Sequence, residues 1–386
     1  MPGAPAPLRG MRIVDLCRLL PGDFCTWILA DLGAEVIKVE DTEAGDYMRW
    51  MPPMVGHSGA MFWALNRGKR SVRLNLKDER GRDLFMRLVD TADAVVESFR
   101  PGVMDRLGLG WEVLSARNPR LVYCAITGYG QDGPYRLRAG HDLDYISLAG
   151  LQGVTGTASG DLAMPGFQVA DLGAGGMGGA LSVVSALLGR ERDPERRGTY
   201  LDVSMFDGVA AFIAPHMVAR LAGMEEGPAR MHLNGHNPCY RLYRARDGRW
   251  LALGALEPKF WRAFCEVVER PDLADRAFDP EAIPHVEALF AARDRDDWLR
   301  LREGHDILLE PVNSLVEAAE DPHLQARGLL VDAGGAVPQP APVVRFPERQ
   351  MADTRVAAHG EDTAAVLREL GLTDAELSEL TERGVI

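Results

Sequence analysis

Three titratable side chains near the middle of the chain are the residues best suited to acid–base chemistry. His141 and Asp142 follow Gly140, and Asp171 comes thirty positions after His141, directly before a glycine-rich segment. A neutral imidazole is a good base near pH 7 because its unperturbed pKa is about 6.5. The N–H groups of a helix N-terminus can stabilise an oxyanion. Taken alone, each residue could be a structural histidine or a helix cap, but together they indicate a site that stabilises an oxyanion.

The glycine-rich segment itself matches a nucleotide-binding pattern. Gly173-Ala-Gly-Gly-Met-Gly178 has the form Gly-x-Gly-x-x-Gly. A dinucleotide fingerprint belongs in the first β-α turn, with an acidic residue on the next strand about 20 residues later. Here the segment lies mid-chain, and the acids that follow, Glu191 to Glu195, lie in a charged loop. We therefore predict no nicotinamide site. The glycines instead let this helix pack tightly, or let a ligand approach its backbone.

Basic residues form a second candidate site in an otherwise acidic chain. They are Arg67, Lys69, Arg70, Arg73, Arg100 and Arg106. Arg100 follows a predicted strand, and the carboxyl ends of strands form the ligand-binding edge of an open α/β sheet. Basic side chains there suit a phosphorylated ligand. A solvated surface face is the alternative interpretation, and the pattern alone leaves both open.

These candidates need a scaffold, and the apolar periodicity predicts an α/β one. Strand 11–15, helix 24–32 and strand 35–39 form a β-α-β unit with a right-handed crossover. A helix at 80–90, strands at 94–97 and 121–126 and a long helix at 173–188 continue the alternation. Strands separated by helices predict a doubly wound, Rossmann-like sheet.

The texture of the sequence changes near residue 215. Tyr240–Tyr243 and Arg249–Leu253 flank Arg246-Asp-Gly248, which is a hairpin signal, and amphipathic helices follow. We predict that residues 1–214 form the first part of a large domain and that 215–328 form a smaller α+β domain with its linkers. Residues 329–386 are predicted to be a return linker and C-terminal helices that rejoin the large domain.

Composition excludes several classes of protein. The chain has 386 residues and a net charge of −13, which argues against a general nucleic-acid binder. Five scattered cysteines without a Cys-x-x-Cys pair indicate a reducing compartment. We predict a cytoplasmic protein with no transmembrane helix and with neither nucleic acid nor membrane as a partner.

A set of motifs between about residue 8 and residue 333 resembles one known family, the class III coenzyme A transferase / alpha-methylacyl-CoA racemase superfamily. Each motif is weak alone, but the combination is specific. The motifs are Leu19-Leu-Pro-Gly22, Leu29-Ala-Asp-Leu-Gly-Ala-Glu-Val-Ile-Lys-Val-Glu40, Asn66-Arg-Gly-Lys-Arg70, Phe99-Arg-Pro-Gly102, Gly128-Tyr-Gly130 and Val203-Ser-Met-Phe-Asp207.

The resemblance implies a large Rossmann-like domain and a small domain in an interlocked homodimer. It places the active site between the large domain of one chain and the small domain of the other. Asp171 would be the nucleophile in a transferase and an acid/base in a racemase. Transferases usually carry an aromatic residue where this chain has His141, so the resemblance favours the racemase branch. Glu257, in Gly254-Ala-Leu-Glu-Pro-Lys-Phe260, would support the histidine.

We therefore expect an isomerase that epimerises 2-methylacyl-CoA thioesters by 1,1-proton transfer through an enolate. His141 and Asp171 would act on opposite faces of the α-carbon, and backbone N–H groups of residues 171–175 would stabilise the enolate oxygen. Neither a metal nor a redox cofactor is required, since coenzyme A is part of the substrate. Two alternatives stay open: a CoA-transferase that works through an aspartyl anhydride, and a non-catalytic acyl-CoA binding protein.

The expected contacts to coenzyme A follow from the basic candidates and from the resemblance. Some racemases have an arginine after the second strand for the ribose phosphate, but this chain has Lys38-Val-Glu40-Asp41 there. Another group must take that role. The residues expected to bind coenzyme A are Arg18, Lys69, Arg70, Arg100, Arg106 and Gly173.

Overall fold

A computed structural model describes residues 6–334, 337–346 and 353–386. The chain divides into two compact units. The first contains the described residues up to Ala149, Phe167–Phe212 and the described residues from Gln325 onward. The second contains Gly150–Gly166 and Ile213–Leu324, so residues 150–166 group with the smaller unit instead of the large domain. The expected return linker lies partly outside the described residues.

Thirteen strands are present in the described part of the chain. They are β1 (Arg12–Asp15), β2 (Glu35–Glu40), β3 (Met54–Val55), β4 (Ser58–Gly59), β5 (Lys69–Arg73), β6 (Ala94–Glu97), β7 (Val122–Thr127), β8 (Thr199–Ser204), β9 (Tyr240–Arg244), β10 (Trp250–Gly254), β11 (Leu309–Pro311), β12 (Leu330–Val331) and β13 (Gln339–Pro340).

The α-helices are interspersed with these strands. They are α1 (Leu19–Asp31), α2 (Ala60–Leu65), α3 (Glu79–Asp90), α4 (Val103–Arg106), α5 (Trp111–Arg117), α6 (Asp142–Leu148), α7 (Leu151–Val154), α8 (Gly178–Arg192), α9 (Met205–Leu221), α10 (Pro258–Val267), α11 (Ile283–Phe290), α12 (Arg295–Arg302), α13 (Leu315–Glu320), α14 (Pro322–Arg327), α15 (Thr363–Glu369) and α16 (Asp374–Glu382). A π-helix, Val169–Met177, leads directly into α8.

The first unit is built on a six-stranded sheet in the order β5-β2-β1-β6-β7-β8. Every neighbouring pair in it is parallel. The chain winds outward from β1 through β2 to β5, then returns to β6 beside β1 and winds outward the other way. This is the doubly wound order of Rossmann-like folds, and its switch point lies between β1 and β6. The predicted α/β fold with a parallel sheet is confirmed.

Helices cover both faces of this sheet, which explains why its strands are apolar runs. All residues of β6 and β7 are buried. On one face, Leu84, Phe85 and Leu88 of α3 pack in one core cluster with Val95 and with residues of α15 and α16. The C-terminal helical pair therefore belongs to the core of the first unit.

The π-helix and α8 pack on the other face, against α1. A Cβ added to Gly176 would lie 2.7 Å from Cδ1 of Phe24 and 3.1 Å from the carbonyl oxygen of Pro21. A Cβ on Gly179 would lie 3.0 Å from Cδ1 of Ile126 on β7. The prediction that these glycines allow close packing is confirmed.

By length and composition alone, the helical stretch Val169–Arg192 could cross a membrane. The expectation of no transmembrane helix did not take this stretch into account. Its glycine face lies against α1 and β7, and Val183 and Leu187 are fully or nearly fully buried. These contacts are those of a core helix in an α/β domain.

The second unit contains an antiparallel sheet in the order β11-β10-β9. The pair β9–β10 has Leu251 opposite Tyr243, which confirms the predicted hairpin. Its core is aromatic: Phe290 stacks on Tyr243 and on Trp298 with ring centroids 4.5 Å apart in both pairs.

Candidate active site

A cavity of about 430 Å³ lies at the carboxyl ends of the central strands of the first unit. Its walls include the segment after β1 (residues 18–21), the segment after β6 (residues 98–101) and the end of β7 (residues 126–129). It therefore occupies the switch point between β1 and β6, where open α/β sheets bind their ligands. His141 and Asp171 both line it.

Asp171 is placed by the π-helix and by a neighbouring carboxylate. It is the third residue of Val169–Met177. Oδ1 of Asp142 accepts hydrogen bonds from the backbone N–H groups of Ala170 (2.6 Å) and Asp171 (3.0 Å). A carboxylate is well placed at a helix N-terminus, because the free N–H groups there carry partial positive charge. Asp142 thus fastens the start of α6 to the start of the π-helix.

The same surroundings perturb the acidity of Asp171. Burial raises the pKa of its carboxyl to about 6, the charge of Asp142 acts in the same direction, and His141 opposes it. Burial disfavours the charged form of an acid, and so does a nearby like charge. Asp171 therefore changes charge close to neutral pH, as a residue that both gives and takes a proton must do.

His141 stands at the N-terminus of α6, where it is the N-cap residue. Its backbone N–H donates to Asp144 (2.9 Å), while the N–H of Asp144 donates to the His141 carbonyl (2.9 Å). The side chain is exposed and lines the cavity. The helix cap therefore fixes the backbone of His141 without using its imidazole.

Two glycines in the recognised motifs have a common steric cause, the ring of Tyr145. A Cβ on Gly128 would lie 2.5 Å from the Tyr145 hydroxyl oxygen, and one on Gly140 would lie 2.8 Å from Cε1 of the same ring. The hydroxyl of Tyr145 donates to the Gly140 carbonyl (2.5 Å). The ring of Tyr129 meets that of Tyr145 edge-on at 5.0 Å. The Tyr129–Tyr145 pair therefore supports the loop that precedes His141.

Four arginines line the cavity, of which the sequence analysis identified two. Arg18 is held by Asp41 (2.6 Å) and by the Tyr47 hydroxyl (3.1 Å), and Arg100 is exposed. Arg136 and Arg138 were missed, although they stand between the two glycine motifs in a loop with no predicted partner. The Arg138 guanidinium lies 3.9 Å from the ring centroid of Tyr135. The cavity therefore has a cationic wall suited to phosphate groups.

The structure does not bring the other predicted coenzyme A contacts to the cavity wall. Lys69 is buried, and its ammonium group donates to Thr26 (2.7 Å) and Asn66 (2.8 Å). Arg70 pairs with Glu35 and Glu369 at the start of β5. This is the amino end of the strand, whereas the cavity lies at the carboxyl ends. Lys69 and Arg70 both belong to β5, whereas the sequence pattern was interpreted as a basic cluster.

Arg106 and Gly173 are also displaced from the cavity. Arg106 is exposed at the end of α4. A Cβ on Gly173 would lie 3.2 Å from the ring of Phe212, so this glycine faces an aromatic ring. Neither residue is among those that line the cavity.

The expected oxyanion donors at the start of the glycine-rich helix require a correction. The N–H groups of Ala170 and Asp171 donate to Asp142, and that of Leu172 donates to the Gln168 carbonyl (3.0 Å). The N–H groups of Asp171 and Leu172 are therefore already satisfied within the chain. The sequence could not show this, because it gave no sign that Asp142 caps this helix.

Glu257 lies in the second unit. It is the N-cap residue of α10, its carbonyl accepts from the N–H of Phe260 (3.0 Å), and its side chain is exposed. Its predicted support of His141 stays a prediction.

Comparisons with known proteins bear on this site. A sequence model of CoA-transferase family III matches residues 8–363. The alpha-methylacyl-CoA racemase of Mus musculus is 34% identical over 381 residues, covering 97% of this chain and 96% of the relative. The succinyl-CoA:glutarate CoA-transferase of Mus musculus is 33% identical over 397 residues, covering 98% and 90%. A CAIB/BAIF family protein from Brucella suis has a similar structure, with a TM-score of 0.82, 32% identity and coverage of 95% of this chain and 100% of that chain.

The predicted family resemblance is confirmed, and it reaches further along the chain than the motifs did. A racemase and a transferase are similar to this chain at nearly equal identity, so the comparisons do not select a branch. Members of the family act on acyl-CoA thioesters. The chain belongs to CoA-transferase family III.

Proposed function

We propose that this enzyme is an alpha-methylacyl-CoA racemase, which epimerises 2-methylacyl-CoA thioesters by 1,1-proton transfer. The observation that carries the proposal is that His141 and Asp171 line one cavity at the switch point of the sheet. Epimerisation needs one group to remove the α-proton and a second to return a proton to the other face. An imidazole and a carboxyl of raised pKa form such a pair.

The charge state of Asp171 fits both directions of the reaction. With a pKa of about 6, roughly a tenth of the carboxyl is protonated at pH 7, whereas an ordinary aspartate is almost fully ionised. Neutral His141 removes the proton from one enantiomer while protonated Asp171 supplies one to the opposite face. The reverse reaction starts from the carboxylate and the imidazolium. Positioned acid–base groups of this kind typically contribute a factor of about 10²–10⁴.

The cationic wall supplies binding energy at the coenzyme A end of the substrate. We assign Arg18, Arg100, Arg136 and Arg138 to the phosphate groups, because guanidinium groups bind phosphate oxygens bidentately. No metal or redox cofactor has a role in this proposal, since deprotonation beside a thioester carbonyl requires only a base and a stabilised enolate.

We also propose that the enzyme acts as a homodimer in which Glu257 of a second copy supports His141. Support comes from the exposed side of the helix that follows Asp171. Met177, Leu181 and Leu188 lie along one face of it at spacings of four and seven, and Leu181 is 69% exposed. Exposed apolar side chains grouped on one helix face are typical of an interface.

The alternative is a CoA-transferase, and the similarity to a transferase at 33% identity favours it as the second candidate. In that reaction the Asp171 carboxylate attacks the thioester carbonyl, coenzyme A leaves as the thiolate, and an aspartyl anhydride forms. A histidine in the cavity is not needed for that step.

A variant series with chemical trapping separates the two reactions. His141→Ala should lower racemisation of a 2-methylacyl-CoA by a factor of about 10²–10⁴ because one of the two proton-transfer groups is gone, with ester binding retained. Hydroxylamine added to the native enzyme during turnover should not convert the Asp171 carboxyl to a hydroxamate, because no aspartyl anhydride forms for it to cleave. A hydroxamate at Asp171, together with full transfer activity of His141→Ala, would assign the chain to the transferases.

A further inference from the structure

One residue in the wall of the cavity has an unfavourable backbone conformation. Leu19 lines the cavity and has φ of +65°, in the left-handed region that residues with a side chain rarely adopt. Such conformations persist only where the surroundings hold them, and they concentrate at functional sites.

A buried ion pair holds the backbone on both sides of Arg18. Both carboxylate oxygens of Asp46 lie 3.3 Å from the N–H of Leu19 and accept from it. The ammonium group of Lys38 donates to the carbonyl of Cys17 (2.9 Å) and pairs with Asp46 (3.0 Å). Asp46 is 0% exposed and Lys38 is 1% exposed. One ion pair therefore fixes the carbonyl before Arg18 and the amide after it.

The ion pair is part of a larger buried network. Lys38 also pairs with Asp23 (2.5 Å), whose second oxygen accepts from the Asn66 amide (2.7 Å). Asp46 also accepts from the N–H of Met48 (2.9 Å). Asp46 is therefore held in place independently of Leu19, which allows it to act as a clamp.

The segment that Asp46 fixes leads into α1, and α1 packs directly against the π-helix that carries Asp171. Leu19 begins α1, and two residues of its first turns, Pro21 and Phe24, meet the π-helix. A Cβ on Gly175 would lie 3.0 Å from Cβ of Pro21, and a Cβ on Gly176 would lie 2.7 Å from Cδ1 of Phe24. Because the π-helix backbone lies so close to these two side chains of α1, a shift of the first turn of α1 must displace the π-helix.

We propose that Asp46 is a positioning residue, which holds Leu19 in its left-handed conformation and thereby sets the place of Asp171 in the cavity. This inference rests on the role of Asp171 in the proposed function. In this role the buried ion pair does more than stabilise the fold. Buried ion pairs alone contribute little stability, because removing their charges from water is costly.

Amide hydrogen exchange tests the mechanical part without any substrate. In Asp46→Ala, peptides covering residues 16–24 and 169–177 should both exchange about tenfold faster or more, because both segments lose their restraint. The matched control is Asp31→Asn, which breaks the buried pair of Asp31 with Arg67 at the other end of α1. The control should leave residues 169–177 at the native rate. Native exchange of residues 169–177 in folded Asp46→Ala would overturn the proposal.

Activity and rescue test the functional part. Asp46→Ala should lower kcat by about 10²-fold, the loss typical of a misplaced catalytic group, while Asp31→Asn should retain native kcat. The same Asp46→Ala change should cost severalfold less in a Leu19→Gly background, because glycine adopts positive φ without a clamp. An equal loss in both backgrounds would overturn the proposal.

Two further measurements apply if Asp46→Ala does not fold or if the native enzyme transfers CoA. If Asp46→Ala does not fold, Asp46→Asn retains an oxygen acceptor for Leu19 and loses the charge opposite Lys38, so it should show the same pattern at smaller amplitude. If the native enzyme transfers CoA instead of racemising, kcat for transfer replaces racemisation, because Asp171 must be positioned for either reaction. That result would contradict the proposed function and leave the exchange test of Asp46 intact.

Discussion

Asp171 illustrates how burial and two neighbouring residues set the acidity of one side chain. Burial, which has the largest effect, and the charge of Asp142 raise the pKa of its carboxyl to about 6, against the opposing effect of His141. Asp142 does this while it satisfies the N–H groups of Ala170 and Asp171. The residue that fixes the backbone of Asp171 is therefore also one that tunes its acidity.

This perturbed carboxyl predicts a pH-dependent stability. Its pKa is raised in the folded state, so the folded protein binds the proton more tightly, and the resulting stability is present below pH 4 and lost as pH rises through 6. Asp171→Asn removes the buried charge. Compared with the native protein, the variant should gain up to about 3 kcal/mol of unfolding free energy at pH 8 and little at pH 4.

Urea unfolding of both proteins at the two pH values measures this difference. Asp193→Asn is the control, because Asp193 is half-buried and its pKa is lowered to about 2 by hydrogen bonds from Arg197. It should show no gain at pH 8. Equal effects of Asp171→Asn at pH 4 and pH 8 would contradict the raised pKa.

At this scale the sequence predicted several residues that line the cavity but not their surroundings. His141, Asp171 and Arg100 stand next to glycine motifs or at strand ends, where position along the chain implies position in the fold. Arg136 and Arg138 reach the cavity through a loop whose path no local pattern encodes. The misassignment of Lys69 has a physical cause: its charge is neutralised inside the unit by Asp15 on β1 and Asp23 on α1, which are distant in sequence.

At the scale of elements, glycines of the π-helix determine how closely the helix that carries Asp171 approaches α1. Gly176 leaves no room for a Cβ against Phe24 and the Pro21 carbonyl. Gly189, near the end of α8, has nothing within 4 Å of its Cβ position. The glycines of this helical stretch therefore differ in purpose, although they look alike in the sequence.

Alanine substitutions at these two glycines should have opposite effects. Gly176→Ala should lower the unfolding free energy by about 1–3 kcal/mol through overpacking and should also lower kcat, because the π-helix must move. Gly189→Ala should raise the unfolding free energy by up to about 1 kcal/mol, since alanine is the better helix former, and leave kcat unchanged. Urea unfolding and steady-state rates measure both, and native stability of Gly176→Ala would contradict the close packing.

Periodicity located most elements of the first unit because each is amphipathic or fully buried. The predicted strands at 35–39, 94–97 and 121–126 correspond to β2, β6 and β7. The start of α1 was placed at Phe24 instead of Leu19, because Pro21 and Gly22 suggest a turn. Its true start depends on a left-handed Leu19 held by Asp46, a contact across 27 residues. The π-helix was not predictable for the same reason, since Asp142 caps it from 29 residues away.

At the scale of the whole molecule, the doubly wound sheet brings His141 and Asp171 to the switch point between β1 and β6. The charge of −13 is compatible with an anionic substrate because the arginines are gathered at the cavity. All five cysteines are buried and free, and the cytoplasmic location stays a prediction.

The proposed homodimer predicts that dilution yields no folded monomer. Light scattering should report twice the chain mass of 42.2 kDa at every concentration that keeps the protein folded. Leu181→Asp, on the exposed face of α8, should lower the yield of folded protein, because it places a charge in an apolar interface and the single chain is not expected to fold alone. Val113→Asp, at a 45% exposed position on α5, is the control and should remain dimeric. A stable folded species of one chain mass would contradict the assembly.

The most direct test of the account is incubation of the native enzyme with one (2R)-2-methylacyl-CoA in deuterated water, with no acceptor acid present. Proton transfer through an enolate at His141 and Asp171 predicts that deuterium enters the α-position as optical purity is lost, until both enantiomers carry it. Retention of the 2R configuration and of the α-proton, with turnover appearing only when a free carboxylic acid is added, would contradict the racemase mechanism.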